Sequence, residues 1–90
     1  MNRDINREEL RRRLEQLDSE LAGTSSHDPR TRELLDRLRT DVRTALDDES
    51  ADTASLRARL EDAVAHFEAE HSTLAQRMAN VIDALALWGL

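Results

Sequence analysis

Residues 10–29 read LRRRLEQLDSELAGTSSHDP, and this stretch decides the fold. Leu10, Leu14, Leu17 and Leu21 recur at steps of four, three and four. Those steps place all four on one stripe of an α-helix. Gly23 is expected to end that helix as a residue free to adopt the left-handed conformation. A short polar loop, Gly23 to His27, comes next. Asp28-Pro29 then opens a second helix. The carboxylate accepts from free backbone N–H groups, and proline at the first helical position has no N–H to leave unsatisfied. So short a loop folds the two helices back as an antiparallel hairpin.

Reading towards the N-terminus, Asn6 and Glu9 have capping-box spacing, and Ile5 and Leu10 are placed for a hydrophobic staple. The helix is therefore expected to start at Asn6. Arg11-Arg12-Arg13 is the only basic run, and Glu8, Glu9 and Glu15 lie at helical spacing to neutralise it. Reading towards the C-terminus, Leu34, Leu35, Leu38, Val42, Ala45 and Leu46 form the second stripe. The acidic stretch Asp47 to Asp52 is the next loop, with Ser50, Asp52 and Thr53 all able to cap the third helix. Leu56, Leu60, Ala63, Val64 and Phe67 make the third stripe, and Leu74, Met78, Val81, Ile82, Leu85 and Trp88 a fourth. Leu56 and Leu74 are eighteen residues apart, five helical turns, so the apolar face is in phase from one to the other. Residues 53–88 are thus one long helix or two meeting near His71-Ser72-Thr73, and the break is the favoured reading. Ser72 is one possible cap, and Thr73 with Gln76 has capping-box spacing. Gly89 closes the last helix. The fold expected is all-α, an antiparallel helical hairpin plus a long C-terminal helical region, broken or continuous. That makes three to four helices in a bundle or coiled-coil-like arrangement.

Composition narrows the function. Ninety residues imply one domain, 1–90. No cysteine means no disulfide scaffold, no zinc-thiolate site and no thiol catalysis. Two glycines and one proline exclude glycine-rich phosphate loops and regular hairpins. Leu, Ile, Val and Phe together number 20 of 90, close to the limit at which a chain stays disordered. So small a core often needs a second copy or a partner to complete it. The net charge is −6, and it is all in one half. Residues 1–46 carry ten arginines and ten acids, whereas residues 47–90 carry three arginines and nine acids. Nucleic acid is not an expected partner, because it would require a basic face. The charged N-terminus gives no sign of a secretory leader, and the apolar tract 78–90 is too short to span a membrane, so a cytoplasmic protein is expected.

Glu68 and His71 form a Glu-x-x-His, the spacing that brings a carboxylate and an imidazole onto one helical face in dimetal bundles. They are the metal-ligand candidates, although a single copy of the motif at a helix end reads more simply as a polar helix terminus. No serine sits in a nucleophile motif, so neither an enzyme nor a cofactor is expected. The segment from Met78 to Leu90 has one charge in thirteen residues, so it must be covered on more than one side. Met78, Val81, Ile82, Leu85, Leu87 and Trp88 are accordingly the interaction candidates. The cover is either the chain's own bundle or a second copy in a dimer, with an unidentified protein partner as the alternative.

The chain also resembles a small bacterial helical family of about ninety residues, catalogued as a domain of unknown function. The resemblance rests on the leucine-rich first helix, Asp28-Pro29, Leu34-Leu35 to Asp41-Val42, Phe67-Glu68-Ala69-Glu70-His71, Thr73-Leu74 and Trp88-Gly89-Leu90. Ser72 stands where the family pattern has proline after the histidine. The resemblance implies a small helical protein and assigns no activity. The functional expectation is a non-enzymatic interaction or structural module that self-associates, with a metal-binding bundle or a partner-docking adaptor as alternatives.

Overall fold

A computed structural model describes residues 2–48 and 52–88, with side chains over 7–48 and 52–87. Four helices run in chain order: α1 (Asn2–Gly23), α2 (Pro29–Asp47), α3 (Thr53–Phe67) and α4 (Ser72–Trp88). There is no strand among the described residues. α1 packs on α2 and α4, and α3 packs on α2 and α4, while the diagonal pairs do not meet. The helices therefore stand at the corners of a square. Arg11 reaches the Leu46 carbonyl and Asp18 faces Arg43, so α1 and α2 run antiparallel. Thr31 meets His66 and Asp41 meets Arg59, which makes α2 and α3 antiparallel as well.

Each stripe turns inward. Leu14, Leu17 and Leu21 meet Leu35, Leu38 and Val42 from α2, Leu56, Leu60 and Phe67 from α3, and Leu74, Met78 and Val81 from α4 in one core. Burying a side chain of this size is worth ~1.5–3 kcal/mol, so this cluster is the main force holding the square together.

The ends of the helices test the local signals one by one. Asp28 caps α2 as expected. Its Oδ1 accepts from Arg30 N at 3.0 Å, and Pro29 occupies the first turn. Asp52 is the residue that caps α3. Its carboxylate accepts from Ser55 N at 3.1 Å and Ser55 Oγ at 2.7 Å, and these bonds hold its pKa below the ordinary carboxylate value. Two expectations need correction. α1 does not begin at Asn6 but runs back to Asn2, and Glu9 is committed to Arg12 and Arg13 rather than to a capping box. A capping signal cannot stop a helix when the residues before it are themselves compatible with one. The Ile5 side chain of the expected staple lies outside the described residues. Gly23 is the last helical residue, but its φ is not positive. The α1 terminus is closed instead by Thr24, whose N and Oγ1 donate to the carbonyls of Leu21 and Glu20. Gly89 lies outside the described residues.

The break between α3 and α4 is real and falls at a turn over residues 68–70. Phe67 is wholly buried there, with the His66 and His71 rings set edge-on to it at 4.9 and 5.7 Å. Glu68 N and His71 N still donate to the carbonyls of Val64 and Phe67, so the turn keeps helical bonds at both ends. α4 begins at Ser72, which places Thr73 inside its first turn rather than at its cap. The break forms without the proline of the family pattern, because the chain gains more by folding α4 back onto α3 than by extending α3 into solvent.

Candidate functional site

Two of the surfaces with room for another molecule are the seam between α2 and α3 and the bundle end where α1 begins and α4 finishes. α2 and α3 make the thinnest of the four helix contacts. A groove of about 570 Å³ remains between them. Leu38 and Ala63, both buried, form its floor, and half-buried Leu34 lies at its mouth. The walls are charged, with Arg37 and Asp41 from α2 and Arg59, Asp62 and His66 from α3. Positions 34, 37, 38 and 41 are helical neighbours, as are 59, 62, 63 and 66, which explains why each wall alternates between apolar floor and charged rim.

Two polar bridges cross this seam. Arg59 Nη1 donates to Asp41 Oδ1 at 2.9 Å. Further along, Thr31 is the one buried polar side chain among the described residues, 7% exposed. Its hydroxyl donates to Asp28 Oδ2 at 3.3 Å and lies 3.0 Å from His66 Nε2. With the hydroxyl proton given to the carboxylate, Nε2 carries a proton and donates to Oγ1. The cap of α2 is thereby tied to the last turn of α3. The hydroxyl of Thr31 thus links two helices.

The second cavity, about 440 Å³, has an apolar floor of Leu10, Leu14, Leu46, Leu56 and Leu85, with Arg7, Glu8, Arg11 and Asp48 at its rim. Arg11 Nη1 donates to the Leu46 carbonyl at 3.4 Å. The last turn of α2 has no basic residue of its own, so Arg11 supplies the cation that its unpaired carbonyls favour.

The interaction candidates on α4 separate into two groups. Met78, Val81 and Leu85 are buried in the chain's own core, so the internal bundle already covers that face. Ile82 is half-buried at the edge of the core, and Leu87 stands 71% exposed on the outer side. The Trp88 side chain lies outside the described residues. The metal candidates belong to neither helix. Glu68 caps the end of α3 and His71 lies beyond the turn, with its ring on Phe67. The Glu-x-x-His spacing assumed a continuous helix, whereas α3 ends before it, at Phe67. Among the described residues no group of three or more His, Cys, Asp or Glu could hold a metal ion.

A family model described as Domain of unknown function (DUF4404) matches residues 10–90. The chain belongs to that family. The match covers the residues that carry the resemblance, from the leucine stripe of α1 to Trp88-Gly89-Leu90. No curated protein and no solved structure matches the chain. The DUF4404 fold seen here builds the groove walls from residues far apart in the chain. Thr31 and His66 are 35 positions apart and Asp41 and Arg59 are 18 apart. No local spacing could have paired them. A weak signal was present for Thr31 alone, a hydroxyl three residues after a capping aspartate.

Proposed function

We propose that this DUF4404 chain is a non-enzymatic interaction module, a single domain over 1–90, and that it self-associates. The observation that carries the reading is the incomplete edge of the core. Leu10, Leu34, Leu46, Val64 and Ile82 are only partly covered where they pack against it, and Leu87 is exposed. Apolar surface left over at the edges of so small a bundle is the kind that association removes from water. The groove and the end cavity fit the same reading, since both are open clefts with leucine floors and charged rims rather than enclosed pockets with converging polar groups. No helix among the described residues is long and apolar enough to cross a membrane. A cytoplasmic location belongs to the same proposal. The route differs from the one expected of the sequence, because the buried leucine stripes are committed within one chain and only its margins are free to pair.

Sedimentation equilibrium over a range of concentrations tests the reading. The expected result is a concentration-dependent mass rising to twice that of one chain. A single-chain mass at all concentrations up to hundreds of micromolar, with a cooperative thermal melt, overturns it.

A further inference from the structure

We infer that the groove between α2 and α3 is the face through which two copies pair about a two-fold axis, with Arg37 of each copy meeting Asp62 of the other. The inference rests on the self-association proposed above and names its surface. The bundle measures 45 × 21 × 20 Å, so its long sides offer a second copy more area than its ends, and a stable interface takes about 800 Å² from each partner.

Charge complementarity supports this side. A two-fold axis sets each patch against its own copy, so the patch must be complementary to itself. The net charge of −6 repels none of the sides, because α3 and α4 carry three arginines and three acids between them and the six surplus acids fall at 47–52 and 68–70. The charges of α1 are largely closed within one copy, Arg11 with Glu15 and both Arg12 and Arg13 with Glu9. The α2–α3 side keeps groups of both signs available. Its rim balances Arg37 and Arg59 against Asp41 and Asp62. Arg59 and Asp41 are paired with each other at 2.9 Å. That leaves one open group of each sign, on opposite walls. Asp62 makes no ion pair among the described residues, and Arg37 has only a 3.8 Å contact to Glu33, with both side chains largely exposed. A two-fold across the groove uses this pair twice, and half-buried Leu34 at the mouth supplies the apolar contact between the copies.

Charge exchange tests this directly. Arg37→Asp and Asp62→Arg, each alone, set two like-charged contacts across the axis and should raise the dimer dissociation constant about tenfold or more. The double variant restores both contacts and should return to within about threefold of the parent. A mixture of the two single variants should form a heterodimer in preference to either homodimer. Circular dichroism and thermal melts of each variant separate loss of pairing from loss of fold, and rescue by the double variant cannot arise from a folding defect. If the parent dimerises and neither single variant weakens it, the surface is wrong and self-association stands. If both single variants weaken it and the double does not recover, the Arg37–Asp62 pairing is wrong. If the parent is a single chain at every concentration, self-association itself fails and this inference falls with it.

Discussion

α3 takes part in two seams that are closed by different means. Towards α4 it presents Leu56, Leu60, Ala63 and Phe67, and α4 answers with Leu74, Met78, Val81 and Leu85, all buried. Towards α2 the contact is thin, and an ion pair and a threonine–histidine link bridge an open groove. The first seam is held by area removed from water, which acts over the whole length of the helices and does not depend on exact geometry. The second depends on a few directional contacts, each worth about 1 kcal/mol or less when exposed. A bundle built this way has one seam closed by buried area and one closed by a few polar contacts.

The contrast can be broken most forcefully at Leu85, where the α4 stripe meets the end of the core. Leu85→Asp buries a carboxylate without a partner and should cost several kcal/mol, enough to abolish the cooperative melt of a domain this size. A folded variant with an unchanged melting temperature would show that the α4 seam does not carry the fold. Thr31→Val keeps the shape and removes the link across the polar seam. The expected loss is about 1 kcal/mol, read as a lower denaturant midpoint at unchanged slope. If that loss instead matched the effect at Leu85, the two seams would be energetically alike and the distinction between them would collapse.

Gly23→Ala sits in neither seam and calibrates both. Its φ is not positive and a Cβ there meets nothing within 4 Å, so alanine should stabilise by about 0.4–1 kcal/mol, raising the melting temperature. Leu87→Asp lies on the outer side of α4 and should change monomer stability by less than about 0.5 kcal/mol. A large loss there would mean that the outer surface of α4 is covered in solution. The smallest expected effect is at the start of α3. Asp52 is ionised more readily in the folded chain than in the unfolded one, because the Ser55 hydroxyl and N–H both bond to its carboxylate. Its contribution is therefore present above the ordinary carboxylate pKa and is lost as the pH falls through the lowered value. Melting curves of the parent and Asp52→Ala should converge only in that acidic range. A stability difference that did not narrow there would mean the cap acts without its charge.

How far the sequence could be read depended on how local each cause was. Asp28-Pro29 told the start of α2 correctly because a cap and a proline act on the three or four residues beside them. The four leucine-rich stripes were legible because a period of 3.6 residues is a property of the chain itself. Asn6 misled because a capping box permits a start without requiring one. Gly23 marked the end of α1 correctly, but without the left-handed turn, which Thr24 made unnecessary. For α4, the low charge correctly required cover on more than one side, but Met78, Val81 and Leu85 could not say whose surface did the covering.

By itself the sequence determined the helices, the loops that separate them and the apolar face of each. These are set by backbone propensity and periodicity over a few turns. Only the tertiary structure decided which faces met. An apolar stripe fits any other apolar stripe, so the choice of neighbour rests on how four helices fill one square. That choice closed α4 between α1 and α3, left only a thin contact between α2 and α3, and brought Thr31 to His66 and Asp41 to Arg59 across the groove between them.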